Sequence, residues 1–404
     1  MTTYDRTWRM AQVQELLDFA LQAVCPEGGF GWLDLTGNVD RSRNRPLYIT
    51  CRMTHVAAIG TVLGHPGCAA ALDHGVTALT GLFHDDTYGG WYTAVDWDGQ
   101  PVDDRKGGYP HAFVILAASS AVTAGCGPAE PLLREGLATA EAHFWDEAAG
   151  SVVDTWDRRF TKLEPYRGAN ANMHTVEAYL AASEALAHLG DPGAAVWRER
   201  AVRIADRFIN HSARANGWRL PEHYDPEWRP LLDYNEDHPA DQFRPYGATP
   251  GHGLEWARLV LQAGTGLPDP WPAEAALALY DRAVADAWAV DGADGFVYTT
   301  NWDGTPVVHE RLRWVVAEAI GAGVALQAAG LKDTTADVAR WWAYADRYLI
   351  DRTHGSWFHE LDRHNRLSAT IMPGKPDIYH AIQALLLPDL PLAPAIVPAL
   401  AREG

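Results

Sequence analysis

A pattern of roughly sixty residues repeats six times along this chain of 404 residues. Each copy has a glycine with a large apolar residue close by, then a short alternating stretch, a turn and a long amphipathic helical pattern. The glycines are Gly31, Gly90, Gly150, Gly217, Gly295 and Gly355, spaced by 59, 60, 67, 78 and 60 residues. Such a repeat restricts the fold to equivalent units that bury their apolar faces on one another.

Each repeat has room for two helices. In the first repeat, "YITCRMTHVAAIGTVLG" and "CAAALDHGVTALTGLF" place apolar residues three and four positions apart, and "HPG" separates them. The first helix of each pair is rich in alanine and apolar nearly all round, whereas the second has a charged face. Because a helix that is apolar on every side must be buried, the first helix is predicted to be inner and the second outer.

Six inner and six outer helices predict an all-α fold, an (α/α)6 barrel closed on itself. Short β-hairpins are expected only at the mouth, where the inner helices begin. Because the repeat runs through the whole chain, residues 1–404 are predicted to form a single catalytic domain. Any functional site is expected at the mouth.

Composition and charge exclude several classes of protein. With 47% hydrophobic residues and 17 Trp, the chain can bury a large core. Its formal charge of −19, without a run of Lys or Arg, argues against binding to nucleic acid or to an anionic membrane. The N-terminus does not resemble a signal peptide and no apolar run is long enough to span a membrane, so the cytoplasm is the expected location.

The four cysteines have no CxxC spacing, and the chain is large enough not to need disulfides. They are predicted to be buried free thiols: Cys25, Cys51, Cys68 and Cys126.

Histidines recur near the predicted starts of the inner helices. Five of the six starts contain one: His55, His111, His174, His252 and His380. The remaining start, "VVHERLRWVV", supplies Trp314 instead. One such histidine is usually structural. Five at equivalent points of a closed ring are expected to meet at the mouth, where at least two should contact a ligand.

Carboxylates accompany three of these histidines. Glu177 and Glu255 follow His174 and His252 by three residues, and Asp377 precedes His380 by three. Since positions three apart share a helix face, each acid is expected to orient its histidine. The sequence has no HExxH motif and no Cys/His zinc pattern, so no metal is predicted. Gly-rich phosphate loops and the GxSxG motif are also missing, and no cofactor is expected.

Five segments together resemble the N-acylglucosamine 2-epimerase superfamily, over nearly the whole chain and in the same order. They are "CRMTHV", "NANMHTVEAY", "PGHGLEWARL", "LRWVVAEAIGA" and "GKPDIYHAIQ". Within the superfamily, the likeness is greatest to the metal-independent mannose isomerases and the related sulfoquinovose isomerases. The resemblance implies an (α/α)6 barrel that isomerises or epimerises sugars through an enediol.

The resemblance also implies roles for individual residues. It places the catalytic acid/base pair on His252 and His380, without saying which of them opens the sugar ring and which moves the C2 proton. Arg52 is implied as the residue that holds the substrate. Further substrate contacts are expected from Tyr109, His111, Asn172, His174, Glu255, Trp314 and Asp377.

The expected reaction is reversible conversion of D-mannose to D-fructose, with D-lyxose and D-xylulose as a second pair. The alternatives within the superfamily are a sulfoquinovose isomerase and a sugar 2-epimerase of the N-acylglucosamine or cellobiose type. A sulfonate needs cations around it. Four cations besides Arg52 are candidates, and all are expected to be surface or loop charges: Lys106, Arg167, Arg244 and Lys375.

Two rival functions differ in class. An inverting glycoside hydrolase would need two acids at the mouth, where this chain has mainly histidines. A non-catalytic sugar-binding barrel would explain the Trp and Arg residues but not the His pair. The sequence leaves open whether the chain is a monomer or a homo-oligomer.

Overall fold

The computed structural model describes residues 4–403, and most of them are helical. The thirteen α-helices within that range are α1 Arg6–Ala20, α2 Leu47–Val62, α3 Cys68–Thr80, α4 Gly108–Thr123, α5 Ala129–Thr139, α6 Ala169–His188, α7 Ala194–Ala205, α8 Pro250–Gly264, α9 Trp271–Ala287, α10 Arg313–Ala328, α11 Thr335–Tyr344, α12 Tyr379–Leu386 and α13 Ile396–Glu403. None of these helices has the length and apolar character needed to cross a membrane.

Burial separates the helices into the two predicted kinds. Helix α4 is buried from Pro110 to Val122, and helix α10 from Arg313 to Gly323. In contrast, the outer helices α5 and α11 bury only one side. Alanine and other small residues on the inner helices allow their backbones to approach closely. The assignment of first helices as inner and second helices as outer is therefore confirmed for these pairs.

The described residues fall into two compact units. One unit comprises residues 14–204, 376–379 and 394–403, and the other comprises residues 4–13, 205–375 and 380–393. In the first, α2, α4 and α6 pack side by side, with α3 against α2 and α5 against α4. In the second, α8 packs against α10, α9 against α8 and α11 against α10. That residues 1–404 form a single domain stays a prediction.

The strands are short and connect the helices. They are β1 Arg45–Pro46, β2 Ala94–Val95, β3 Pro101–Asp103, β4 Lys106–Gly107, β5 Trp145–Asp146, β6 Ser151–Val152, β7 Thr155–Trp156, β8 Arg167–Gly168, β9 His223–Tyr224, β10 Thr299–Thr300, β11 Pro306–Val308, β12 Arg311–Leu312 and β13 Glu360–Leu361. Antiparallel pairs join β1 to β2, β2 to β3, β4 to β7, β5 to β6, β10 to β11 and β12 to β13. Strands β1, β4, β8 and β12 lead directly into the inner helices α2, α4, α6 and α10.

A turn of the same form recurs six times in the connections. An Asp or Asn carbonyl accepts a hydrogen bond from the amide three residues later, and that fourth residue has a positive φ. The fourth residues are Gly37, Gly99, Phe160, Trp228, Gly304 and Asn365. This geometry is the backbone counterpart of the repeat in the sequence, and it confirms that the six repeats adopt a common local structure.

Two of these turns carry an aromatic residue where glycine is favoured. A left-handed conformation costs an L-residue roughly 1–2 kcal/mol. Phe160 has a φ of 56° and stacks on His143 with ring centroids 3.8 Å apart. Its ring also packs against the small apolar cluster around Phe144 and Val153. This packing offsets the backbone strain.

The expectation that the spare cations are surface or loop charges is wrong for Lys106 and Arg167, which are buried in β4 and β8, and Lys375 is buried too, although it lies in a connection. Lys106 and Lys375 are fully buried, and their Nζ atoms contact Asp85 at 3.1 Å and Asp351 at 2.6 Å. Each lysine lies just before an inner helix, and its aspartate lies in the preceding turn. A buried cation needs a partner of opposite charge, so these pairs fix the hairpins to the helix starts.

Arg167 is also buried, and donates to the carbonyl oxygens of Glu164 and Tyr166. Arg244 is half-buried. All four cysteines are buried and free, as predicted.

Candidate active site

The histidines do not all lie in the first turn of an inner helix. His252 and His380 are the third and second residues of α8 and α12, and His111 is the fourth residue of α4. His174 is the sixth residue of α6, in the second turn. His55 is the ninth residue of α2, which begins at Leu47. The prediction of a position near the helix start is therefore wrong for His55.

His252 pairs with an acid from outside its own helix. Its Nδ1 lies 2.9 Å from Oε1 of Glu222, and both residues are buried. Because a carboxylate only accepts hydrogen bonds, Nδ1 is the donor to Glu222 and Nε2 is the ring nitrogen left for proton transfer. The pairing thus prepares Nε2 to accept a proton.

His380 has the same arrangement. Its Nδ1 lies 2.7 Å from Oε1 of Glu318, which belongs to helix α10. The other oxygen of Glu318 accepts a hydrogen bond from Nη2 of Arg258 on α8 at 3.4 Å. His380, Glu318 and Arg258 are at most 6% exposed. Nδ1 of His380 is therefore also the donor to its acid, in a chain of three charged or titratable groups.

Trp314 lies beside both rings of the histidine pair, as we call His252 and His380. Its ring centroid is 5.2 Å from that of His252 and 5.8 Å from that of His380, with interplanar angles of 36° and 38°. Trp314 is 7% exposed. An aromatic ring between two imidazoles excludes water and presents an apolar face of the kind on which sugars stack.

The predicted orienting acids are corrected for both members of the pair. Glu255 was expected to orient His252, and Asp377 to orient His380, on the basis of their spacing. The structure instead gives these roles to Glu222 and Glu318. Spacing along one helix fails here because each imidazole turns away from its own helix towards a neighbouring element.

The missed acids differ in how well the sequence marks them. Glu318 is the single carboxylate in the apolar run "VVAEAIGAG", and a buried acid needs a partner, so it could have been recognised. Glu222 lies in the connection "RLPEHY", between α7 and α8, and nothing in that segment distinguishes it.

A second cluster surrounds Arg52 in the unit of residues 14–204. Its Nη1 donates to Oδ2 of Asp377 at 3.1 Å, and its Nη2 donates to the hydroxyl of Tyr109 at 2.9 Å. The guanidinium lies 4.8 Å from the ring centroid of Tyr379. Although burial favours the neutral form, these anionic and phenolic neighbours raise the pKa of Arg52, which stays a cation. We call Arg52, Tyr109, Asp377 and Tyr379 the arginine cluster.

Glu177 links the arginine cluster to His174. The hydroxyl of Tyr379 donates a short hydrogen bond to Oε2 of Glu177, and Nδ1 of His174 lies 3.4 Å from the same oxygen. The expectation that Glu177 accompanies His174 is confirmed by this contact. The His174 ring also packs against Tyr109, with centroids 5.3 Å apart.

Two residues predicted to contact the substrate form hydrogen bonds with the backbone. Nδ1 of His111 donates to the carbonyl of Gly107 at 2.7 Å, and its Nε2 accepts from the amide of Trp91 at 3.2 Å. Burial lowers the pKa of His111 to about 3. Asn172 donates to the carbonyls of Val152 and Gly168 and accepts from the amide of Val152. These bonds position hairpins and use both ring nitrogens of the histidine.

His55 lies deep between α2 and α4. Its Nδ1 is 2.7 Å from Oγ of Ser120, and burial lowers its pKa to about 4. The structure thus places it in the core, so the structural interpretation suits this histidine.

The atoms of Glu255, Glu318 and His380 approach one another closely enough to be considered for a metal. One ligand atom from each lies within 4.8 Å of the others, and all three are buried. However, Arg258 brings a positive charge onto Glu318, and Nδ1 of His380 is already bonded to that acid. Glu318 is therefore already paired with a guanidinium and an imidazole.

Comparison with known proteins identifies the family. The sequence model of the N-acylglucosamine 2-epimerase (GlcNAc 2-epimerase) family matches residues 28–384. A D-mannose isomerase from Thermobifida fusca is 47% identical over 99% of this chain and 98% of its own length. A D-mannose isomerase from Pseudomonas cannabina pv. alisalensis is 44% identical over 98% of this chain and 95% of its own length.

A crystal structure of D-mannose isomerase superposes with a TM-score of 0.88, at 29% identity, and covers 95% of this chain and 98% of that one. The predicted fold class, the (α/α)6 barrel, is confirmed by this likeness. The predicted isomerase class agrees with the same relatives. This chain belongs to the N-acylglucosamine 2-epimerase family.

Proposed function

We propose that this chain interconverts D-mannose and D-fructose by proton transfer through an enediol. The observation that carries the proposal is the histidine pair, in which both imidazoles bind a buried glutamate through Nδ1 and keep Nε2 as a proton acceptor. Imidazole titrates near neutral pH, so it can both take and return a proton under physiological conditions. The relatives named D-mannose isomerase support the choice of substrate.

The reaction needs no outside reactant. In the open-chain aldose, one histidine takes the proton from C2, and the electron pair of that C–H bond forms the C1–C2 double bond. The C1 carbonyl oxygen takes a proton from the second histidine and becomes the enediol hydroxyl. The O2 proton then returns to the second histidine as the C2 carbonyl forms, and the first histidine gives its proton to C1 to complete the ketose. Ring opening precedes these steps: the second histidine, protonated at Nε2, gives that proton to the ring oxygen and takes back the O1 hydroxyl proton as the C1 carbonyl forms.

Arg52 is assigned the binding of the sugar oxygens O1 and O2. Asp377 and Tyr109 each accept from one terminal nitrogen of its guanidinium, and each of those nitrogens has one further N–H to donate. A fixed cation with forked donors stabilises the negative charge that develops on an enediolate oxygen. Tyr109, His174, Glu255, Trp314 and Asp377 remain proposed substrate contacts. Direct contact from His111 or Asn172 would require breaking the backbone hydrogen bonds described above.

A neutral hexose suits the cations of this chain better than a sulfonated sugar. Lys106 and Lys375 are bound to buried aspartates, and Arg167 to backbone carbonyls. A sulfonate held by one of these three cations would have to displace its internal partner, and leaving a buried charge without its partner is costly. D-Lyxose, which shares the configuration of D-mannose from C2 to C4, is the proposed weaker substrate.

The proposal includes a reaction without a bound metal and a location in the cytoplasm. It makes no choice between a monomer and a homo-oligomer. Treatment with EDTA is expected to leave turnover unchanged. Loss of activity that returns with Mg²⁺, Mn²⁺ or Zn²⁺ would contradict the metal-free mechanism.

The test is incubation of the purified chain with D-mannose in D₂O. Fructose is expected to accumulate with deuterium at C1, because a histidine that holds the migrating proton exchanges it with solvent. A hydride shift would give fructose without deuterium, even after many turnovers. Glucose without fructose would indicate an epimerase, and sulfoquinovose turnover more than about tenfold faster than that of D-mannose, or about 1.4 kcal/mol, would reject the neutral substrate.

A further inference from the structure

Arg258 is connected to the catalytic His380 through Glu318. It lies on α8, two turns after His252, and its Nη2 donates to Oε2 of Glu318. The second oxygen of Glu318 accepts from Nδ1 of His380. Arg258 is 6% exposed and Glu318 2%. This burial shields the contact from solvent and makes the charge on Arg258 effective.

The charges around His380 explain why a cation is needed there. Glu255 and Glu318 offer carboxylate oxygens within 4.8 Å of each other and of an imidazole nitrogen of His380. Two buried carboxylates at that distance repel each other, and without a compensating charge one of them takes up a proton. If Glu318 were protonated, it would have one oxygen fewer to accept the Nδ1 proton of His380.

The other member of the histidine pair has no such cation. Glu222 accepts from Nδ1 of His252, and among residues 4–403 no Arg or Lys forms an ion pair with it. The two imidazoles therefore have different electrostatic surroundings, although both bind a glutamate. The asymmetry indicates that Arg258 compensates the negative charge of the two neighbouring carboxylates near His380.

We propose that Arg258 is a positioning residue for the isomerase reaction. It keeps Glu318 ionised beside Glu255, and thereby holds the proton of His380 on Nδ1 and the lone pair on Nε2. This inference rests on the proposed function, since it assigns Arg258 a part in the proton transfer by His380. Arg258 touches neither the substrate nor the transferred proton.

The charged groups that face Glu318 come from three inner helices. Helix α8 contributes Glu255 and Arg258, α10 contributes Glu318 itself, and α12 contributes His380. The outer helix α11 packs against α10, but its Asp337 accepts hydrogen bonds from Tyr280 and Arg340. Arg258 supplies a positive charge that pairs with Glu318.

The experiment is the pH dependence of kcat/KM for D-mannose in the wild type, Arg258→Gln and Arg258→Lys. Removing the cation favours proton uptake both by the carboxylates and by the His380 ring. Activity that requires an ionised Glu318 and a neutral His380 should then disappear at a higher pH. The acid limb of Arg258→Gln is expected to move upwards by about one pH unit or more. Arg258→Lys keeps the positive charge, so its acid limb should lie close to that of the wild type.

A matched control separates this effect from damage to the fold. Arg200 is 8% exposed and pairs with Glu141 in the other unit, so Arg200→Gln also breaks a partly buried ion pair. It is expected to leave the acid limb in place. A second measurement uses Glu318→Gln, in which the charge that Arg258 protects is already lost. Adding Arg258→Gln to this variant should then change kcat/KM by less than about threefold.

The outcomes distinguish the two proposals. If the wild type does not isomerise D-mannose, the proposed function fails and the role of Arg258 fails with it. If the wild type is active but Arg258→Gln keeps the wild-type acid limb, the function stands and the role of Arg258 is wrong. If Arg258→Gln does not fold, Arg258→Met takes its place, because it keeps the length of the side chain without the charge, and an acid limb at the wild-type pH in that variant would equally reject the role of Arg258.

Discussion

Asp377 and Arg52 form a buried ion pair across 325 residues of sequence, with Nη1 of the arginine 3.1 Å from Oδ2 of the acid. The other oxygen of Asp377 accepts from the amide of Tyr379, the first residue of α12, at 3.2 Å. One carboxylate therefore both neutralises the arginine and caps the helix that carries His380. This dual role explains why Asp377 does not orient His380 directly.

The first prediction concerns Asp377. Asp377→Ala leaves Arg52 as a buried cation without its acid, which should lower the free energy of unfolding by about 3–5 kcal/mol. It should also lower kcat/KM, because the guanidinium loses its fixed position. Urea unfolding followed by fluorescence and turnover of D-mannose measure the two effects. Asp377→Asn retains an acceptor for the Tyr379 amide, so a smaller loss in that variant would separate the cap from the ion pair. If Asp377→Ala unfolded at the same urea concentration as the wild type, this result would contradict a stabilising ion pair.

The second prediction concerns the histidine pair. His252→Ala and His380→Ala should each lower turnover by about 10²–10⁴-fold while the fold remains intact, because each removes a proton carrier that water cannot replace in position. Steady-state kinetics with D-mannose and circular dichroism provide the measurements. His364→Ala, which removes an exposed histidine, is the matched control and should keep wild-type turnover. If either member of the pair retains more than about half of the turnover, that histidine is structural.

The repeat could be predicted from sequence because it is a local property. Each turn needs a residue that tolerates positive φ, and each inner helix needs apolar residues on all sides, so both features leave a periodic trace. Even the aromatic exceptions Phe160 and Trp228 occupy the same place in the turn. These periodic features predict the inner and outer helices of the repeats and the turns that connect them.

The partners of the catalytic histidines could not be predicted in the same way. The choice of Glu222 over Glu255 depends on how a connecting segment folds against α8, and this is not a property of α8 itself. The start of α2 was predicted within one residue, so the misplacement of His55 was not an error of the helix boundary: this histidine lies two turns beyond the start. Tertiary contacts are set by packing, which a single sequence records only indirectly.

The third prediction concerns stability against pH. Burial lowers the pKa of His55 from 6.5 to about 4, so the unfolded chain binds this proton more readily than the folded chain between those values. His55 therefore contributes stability above pH 6.5 that is lost as the pH falls to about 4. His111, with a pKa of about 3, acts in the same direction over a wider range.

The measurement is the free energy of unfolding by urea at intervals between pH 4 and 7. His55→Leu should flatten the decline by up to about 1.4 kcal/mol per pH unit, since one protonation difference disappears. His364→Ala removes an exposed histidine and is the control. A slope in His55→Leu equal to that of the wild type would show that His55 is not buried as a neutral ring.

The last prediction concerns Glu360, which is fully buried and organises the segment that leads to α12. One oxygen accepts from the hydroxyl of Ser368 and from the amide and hydroxyl of Thr370, and the other accepts from the amides of Ile371 and Met372. Burial raises the pKa of Glu360, but these hydrogen bonds outweigh burial and lower the pKa below its usual value. The carboxylate is therefore ionised and replaces water for five donors.

Glu360→Gln turns one of the two acceptor oxygens into an NH₂ group that faces donors. Since each buried donor left without an acceptor costs about 1–3 kcal/mol, a loss of about 3 kcal/mol or more in unfolding free energy is expected. Hydrogen exchange gives the local readout, because the amides of Ile371 and Met372 should lose protection before the helices do. Glu227→Gln, at an acid that is 65% exposed, is the control and should change neither measurement. Unchanged exchange at both amides in Glu360→Gln would mean that this segment is held by its own packing and not by the carboxylate.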